Sequence, residues 1–148
     1  MTLLLSLVSV IGRRLLAAPF LYIGLGAVRR PGPMAEAAAP MLDRLSGPLH
    51  LPKDPEVLVR ANGVLWLSAG GLLAASRLPR LAATVLAVSV LPTTWVAHPF
   101  WREPDPVLRR QQRAHFVKNI GLLGGTLLAA RTGERLDRVA RSAGRGES

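Results

Sequence analysis

Hydrophobic and polar positions along the chain fall into long blocks, without the two-residue alternation of half-buried strands. Four apolar stretches stand out, at 2–28, 57–75, 81–96 and 116–130, the first interrupted by Arg13-Arg14. A helix that crosses a bilayer needs about 20 predominantly apolar residues, with a range of ~17–25. The third and fourth stretches reach that length once their interfacial ends are included, at 79–101 and 115–131. The pattern predicts an all-α fold, an integral membrane four-helix bundle within residues 1–131. Its helices are expected at about 11–28, 57–76, 79–98 and 115–131, followed by an Arg-rich polar tail at 132–148.

The breakers support this division. Pro31 and Pro33 end the first helix, and Pro52 and Pro55 precede the second. Ser76 to Arg80 is a tight polar turn with Pro79 placed as an early helical residue, which makes the second and third helices an antiparallel hairpin. Pro92 is expected to kink the third helix, a feature that membrane helices tolerate. Pro104 and Pro106 punctuate the next connection. In the long first connection, Met34, Met41, Leu42 and Leu45 line one face of a short interfacial helix. The tail extends the last helix over 133–141 and then becomes unstructured over 144–148.

The opening stretch is read as a membrane helix and not as a cleaved secretory signal. Its charged pair lies inside the apolar run, and apolar character continues past Ala17-Ala18 to Val28. Arg13 and Arg14 are expected to snorkel to the headgroups.

Composition then narrows the function. The 148 residues carry a formal charge of +10. A soluble domain so basic would suggest nucleic acid. Here the cations sit between and after apolar blocks, so anionic lipid is the expected counter-charge and nucleic acid is not a partner. With no cysteine, disulfides, thiolate-held zinc and iron–sulfur clusters are excluded on this chain. His50, His98 and His115 have no metal-ligand spacing, so no metal is expected. No carboxylate pair lies inside a span, and no catalytic residue is assigned. The Lys and Arg count leaves the orientation open. Four alternating crossings place nine basic residues on the side of the termini and ten on the other.

Alternation does fix which helix ends share a membrane face. The end of the third helix and the starts of the second and fourth gather Arg60, Asn62, His98, Trp101, His115, Lys118 and Asn119. His115, Lys118 and Asn119 are spaced to occupy one helix side. Such a set suits an anionic headgroup, a small anion or a quinone ring. The same residues would also serve as ordinary interfacial anchors. Gly70, Gly71, Gly121, Gly124 and Gly125 are expected to let helices approach closely, with Gly121 and Gly125 at GxxxG spacing.

The run His98-Pro99-Phe100-Trp101, then Gln111-Gln112 and Phe116-Val117-Lys118-Asn119, then Gly124-Gly125, resembles the DoxX family of bacterial membrane proteins. Gly12-Arg13 and the closing Gly24-Leu25-Gly26 of the first apolar stretch are similar to the family's opening. The resemblance covers about 11–131, and the segment joining the third and fourth helices is its most specific part. It implies a multi-pass protein of the bacterial inner membrane. It also implies a distant relation to DoxD, a membrane subunit of a thiosulfate:quinone oxidoreductase. The expected role is an accessory subunit of a quinone-linked redox assembly, not an enzyme on its own, with quinone as the expected cofactor class. Two other readings stand beside it. One is a membrane scaffold whose glycine faces dock partner subunits or a second copy. The other is a small transporter, disfavoured because no acidic residue sits mid-membrane.

Overall fold

The computed structural model describes residues 2–49, 52 and 54–145, with side chains described over 7–40, 42–43, 52, 54–95 and 97–132. His50 and Lys53 lie outside the described residues, as do the side chains of Met41, Leu45 and the tail beyond Thr132. Of the ending expected to be unstructured, 144–148, residues 144–145 are helical and 146–148 lie outside the described residues.

The chain is all-helical over the described residues. Helix α1 is Thr2–Arg29, α2 is Gly32–Leu49, α3 is Pro55–Ala74, α4 is Pro79–Ala97 and α5 is Pro106–Arg145, with a 3-10 turn at Phe100–Arg102 before α5. The sequence signals explain most of these bounds. Asp54 caps α3 by accepting a hydrogen bond from the Glu56 N–H at 2.9 Å, with Pro55 opening the helix. At α5, Asp105 accepts from the backbone N–H groups of Val107 at 2.6 Å and Leu108 at 3.1 Å, and Pro106 is the first helical residue. That cap starts α5 nine residues before the expected 115. The connection in the middle of the chain is also more helical than expected, because α2 spans 18 residues.

Among the described residues, three helical segments are long and apolar enough to cross a membrane, Leu7–Arg29, Pro55–Ala74 and Pro79–Arg102. The expected fourth is not among them. The apolar part of α5 is short, contains Lys118 and Asn119, and is bounded by Arg113 and Arg131.

The most extensive helix contact is between α1 and α3. They run antiparallel, with Gly24 and Gly63 at the point of closest approach. A Cβ built on Gly63 would lie 2.9 Å from the Gly24 carbonyl oxygen and 2.9 Å from the Ala27 Cβ. Phe20 packs edge-on against Trp66 at 5.4 Å one turn further along. The Trp66 indole N–H then donates to the Ser89 hydroxyl at 2.8 Å, tying α3 to α4. The core continues through Ala17, Leu73, Ala82, Ala83, Leu86 and Val90 to Ala129 of α5. Helix α5 lies along α4 and touches α1 where Leu16 meets Gly125.

With lipid tails as apolar as leucine, such packing is held by contact and internal hydrogen bonding, not by a hydrophobic drive. Hydroxyls accordingly bond back to their own helices. Ser89 donates to the Leu86 carbonyl, Thr93 to that of Ser89, and the fully buried Thr126 to that of Leu123. Helix α4 runs through Pro92 unbroken, with Ser89 and Thr93 bonding to carbonyls around it.

Gly70 and Gly125 meet neighbouring side chains, Leu21 and Leu16, but Gly71, Gly121 and Gly124 face open space within this chain. Their positions turn them away from the core that Thr126 and Ala129 enter. Arg14 is exposed, whereas Arg13 is 6% exposed. It continues the stripe of Ala17, Phe20, Gly24 and Ala27 that faces α3, so its stem is covered by protein.

The α3–α4 turn closes with the Arg77 N–H donating to the Leu72 carbonyl at 2.8 Å. Ser76 takes a left-handed conformation there, φ 54°, where glycine is the usual residue. Ser76→Gly should therefore raise stability by about 0.5–1 kcal/mol. Gly63→Val should lower it by at least ~1–3 kcal/mol through overpacking at the α1–α3 crossing. Thermal unfolding of the detergent-solubilised protein measures both. An unchanged midpoint for Gly63→Val would contradict the crossing as described.

Candidate functional site

Two ends of the bundle differ in chemistry. One carries the α3–α4 turn. At the other, the C-terminal end of α4, the 3-10 turn and the first half of α5 come together, and most of the sequence-designated residues lie there.

His98 follows the last residue of α4, and its backbone N–H donates to the Thr94 carbonyl at 3.1 Å. His115 lies three turns into α5. Their rings stack with centroids 5.2 Å apart and planes 15° from parallel. Gln112, one turn before His115 on α5, places its Oε1 2.8 Å from His98 Nδ1. With that oxygen as acceptor, His98 donates through Nδ1, and Nε2 of the neutral ring keeps its lone pair. Gln112 enters the sequence reading only as part of the family resemblance. Its role needs the antiparallel register of α4 and α5, which spacing alone does not supply.

A cluster of aromatic rings lies at the same end of α4 and α5. Trp95 and Trp101 approach to 4.6 Å, Phe100 and Phe116 to 5.3 Å, and Trp101 and Phe116 to 6.1 Å. Four of the chain's seven aromatic residues thus meet at one point. Trp95 is 54% exposed and Trp101 42% exposed, so the cluster presents ring surface outward. The 3-10 turn that carries Phe100 and Trp101 is held by the loop after it. There Arg109 donates from Nε to the Glu103 carbonyl at 2.7 Å and from a terminal nitrogen to the Pro104 carbonyl at 3.2 Å.

Of the other designated residues, His115 and Lys118 are exposed, and Asn119 is half-buried on the same side of α5. His115 and Lys118 both lie within Coulombic reach of the His98 ring. Arg60 and Asn62 do not join the group. Arg60 pairs with Glu56 on its own helix at 3.3 Å, both exposed. Asn62 is half-buried on α3, a helix with little contact to α5. A shared membrane face brought them to the same level, but not to the same side of the bundle.

One polar group at this end was missed. Thr94 is 4% exposed, and its Oγ1 has no hydrogen-bond partner, unlike the other described hydroxyls of α4. It sits one helical turn before His98. No cluster of three or more metal-binding side chains occurs among the described residues.

The arrangement offers an edge-to-face aromatic cluster at the same end as two imidazoles, an amide and an ammonium. That combination fits a planar ring carrying oxygen substituents. The aromatic faces cover the ring, Lys118 and Asn119 supply donors, and His98 Nε2 supplies an acceptor.

Comparison with known proteins places the chain. No curated protein and no solved structure matches it. The DoxX family model matches residues 8–99, from early in α1 through α4 to His98-Pro99. The match begins three residues before the region expected from the sequence and ends before α5, the part that carries Phe116, Lys118 and Asn119. It takes in more than half of the chain and all three of the apolar crossings, and the protein belongs to the DoxX family.

Proposed function

We propose that this chain is an accessory, non-catalytic subunit of a quinone-linked redox assembly in the bacterial inner membrane, and that it holds the quinone ring at the α4–α5 end. The observation that carries the reading is the stacked His98–His115 pair, fixed by Gln112, with exposed tryptophan at the same end. Helix α5 is taken as the fourth crossing. In support, it lies along α4 and buries Thr126 and Ala129 in the common core. Lys118, near the end of that crossing, can reach the headgroup level.

A bound quinone would supply two-electron, two-proton carrier chemistry to the partner subunits. This chain's residues do the holding. Trp101 and Phe116 would shield the ring from lipid, Lys118 and Asn119 would donate to a carbonyl oxygen, and His98 Nε2 would accept from a hydroxyl. Gln112 acts on His98, as a positioning residue that keeps the Nδ1–H tautomer.

A second reading, a scaffold within the same kind of assembly, is favoured by one observation. Gly121 and Gly124 leave open backbone on the outer side of α5, among exposed Val117, Ile120 and Leu128. Small residues facing outward permit close approach of another helix. Crosslinking from a cysteine placed at Gly121 should trap a partner subunit or a second copy. A protein that stays monomeric and uncrosslinked in native membranes contradicts this reading.

For the quinone site, titration of the purified protein with a water-soluble menaquinone analogue should give saturable quenching of tryptophan fluorescence. Loss of one charge-assisted hydrogen bond in Lys118→Ala should weaken binding by about tenfold or more. His115→Ala should weaken it as well. Arg60→Ala should leave it unchanged, since Arg60 lies elsewhere. Equal binding by all three variants removes the site.

A further inference from the structure

The end of the bundle opposite the histidine pair has a different character. Contacts along α1 and α3 set its level. Gly24 meets Gly63, and Phe20 meets Trp66 and Gly70. Continuing that antiparallel register by two turns puts Arg13 level with the turn that begins at Ser76. Ala17, Leu73, Ala82 and Ala129 belong to one core cluster. Beyond them lie Arg13 on α1 and Arg77 after α3, one turn away, and Arg80 at the head of α4 and Arg131 on α5, two residues away. Arg14 adjoins Arg13. Five arginines therefore ring this end, and no aspartate or glutamate stands there among the residues whose side chains are described. The opposite end mixes its cations with Glu36, Asp43, Asp54, Glu56, Glu103 and Asp105.

Arg13 turns this charge pattern into a site. It is 6% exposed and makes no hydrogen bond or ion pair with a described residue. The stem of Arg13 is covered, while its guanidinium nitrogens are not among the fully buried unpartnered atoms, so the cationic head stays open at the surface. The exposed Ser76–Leu78 turn adds only partial negative charge, from the last carbonyls of α3. The charge on Arg13 thus calls for an anion that the described part of the chain does not provide, at a level where the bilayer presents phosphates. Guanidinium matches phosphate through two parallel hydrogen bonds, and basic recesses between membrane helices hold anionic headgroups in this way.

We propose that the Arg13 end of the bundle is a binding site for the phosphate of an anionic phospholipid. Arg13 is the ligand whose stem the helices cover. Arg14, Arg77 and Arg131 form the exposed rim that attracts the headgroup and excludes zwitterionic lipid. The site is independent of the histidine–aromatic cluster, which lies at the other end, and it stands whether or not that cluster takes a quinone.

The test uses the full chain, delipidated in a mild non-ionic detergent. Native mass spectrometry and thermal unfolding are read with added phosphatidylglycerol, phosphatidylcholine or inorganic phosphate. Phosphatidylglycerol should give a retained one-to-one adduct and raise the unfolding midpoint, and phosphatidylcholine should do neither. If inorganic phosphate protects the protein as well and competes with the adduct, phosphate alone is recognised. If it does not, the intact lipid is the ligand; both results support the site. Arg13→Gln should weaken the phosphatidylglycerol adduct by about tenfold, and Arg13→Lys by less, because it keeps charge without the fork. If Arg13→Gln does not fold, the paired exposed substitutions Arg14→Gln and Arg77→Gln should still weaken the adduct severalfold. Arg110→Gln, at the opposite end, should not. Equal binding of the two lipids overturns the proposal. So does undiminished phosphatidylglycerol binding in Arg13→Gln, or an absence of protection by any anion because tail carboxylates already neutralise Arg13.

Discussion

The close crossing of α1 and α3 at Gly24 and Gly63 sets the geometry of the rest of the molecule. Two backbones meet there with no room for a Cβ on either side. In lipid, helices gain little from hiding apolar surface, so intimate contact and paired polar groups must hold them together. From that crossing Phe20 and Trp66 set the spacing of the next turn. Trp66 then fixes α4 through Ser89. Helix α5 follows because α4 offers it a long flank. The histidine pair sits at the far end of that chain of contacts, since it needs α4 and α5 in register.

This order explains what could be read from the sequence. The three strong crossings were legible because twenty apolar residues in a row have few alternatives. The α3–α4 turn was legible because Pro79 and the surrounding polar residues leave it one role. Helix α2 and the early start of α5 were harder. Their residues are mixed in polarity, and helix formation there depends on local capping, such as Asp105 before Pro106, more than on hydropathy. The glycines were only half legible. GxxxG spacing singled out Gly121 and Gly125, yet the tightest contact joins Gly24 and Gly63, which lie on different helices and share no spacing.

The site divided in a similar way. Membrane alternation put His98, Trp101 and His115 at one level, and in the structure His98 stacks on His115 while Trp101 meets Phe116, one residue after His115. It could not fix azimuth. Arg60 and Asn62 share that depth but sit on α3, away from α5. Gln112 was visible as a residue but not as a partner, since its bond to His98 spans fourteen positions and two helices. Family membership reaches as far as His98 and stops short of His115. The pair therefore joins a segment the family model recognises to one that it does not. The specific chemistry at this end rests on geometry more than on kinship.

The two ends also differ in how they handle charge. At the histidine end, some of the charged and polar groups have protein partners close by. Arg60 has Glu56, Arg109 has backbone carbonyls, and His98 has Gln112. At the turn end, Arg13, Arg14, Arg77 and Arg131 have none among the described residues. An end whose polar groups satisfy one another can hold a neutral ring by shape and a few directed bonds. On the proposed reading, Arg13, which has no partner among the described residues, meets an anion from its surroundings. Lipid phosphate is the anion always present at that depth. On the two proposed readings, the same helices offer one end to a redox cofactor and the other to anionic lipid. The α1–α3 crossing between them keeps the two at a fixed separation.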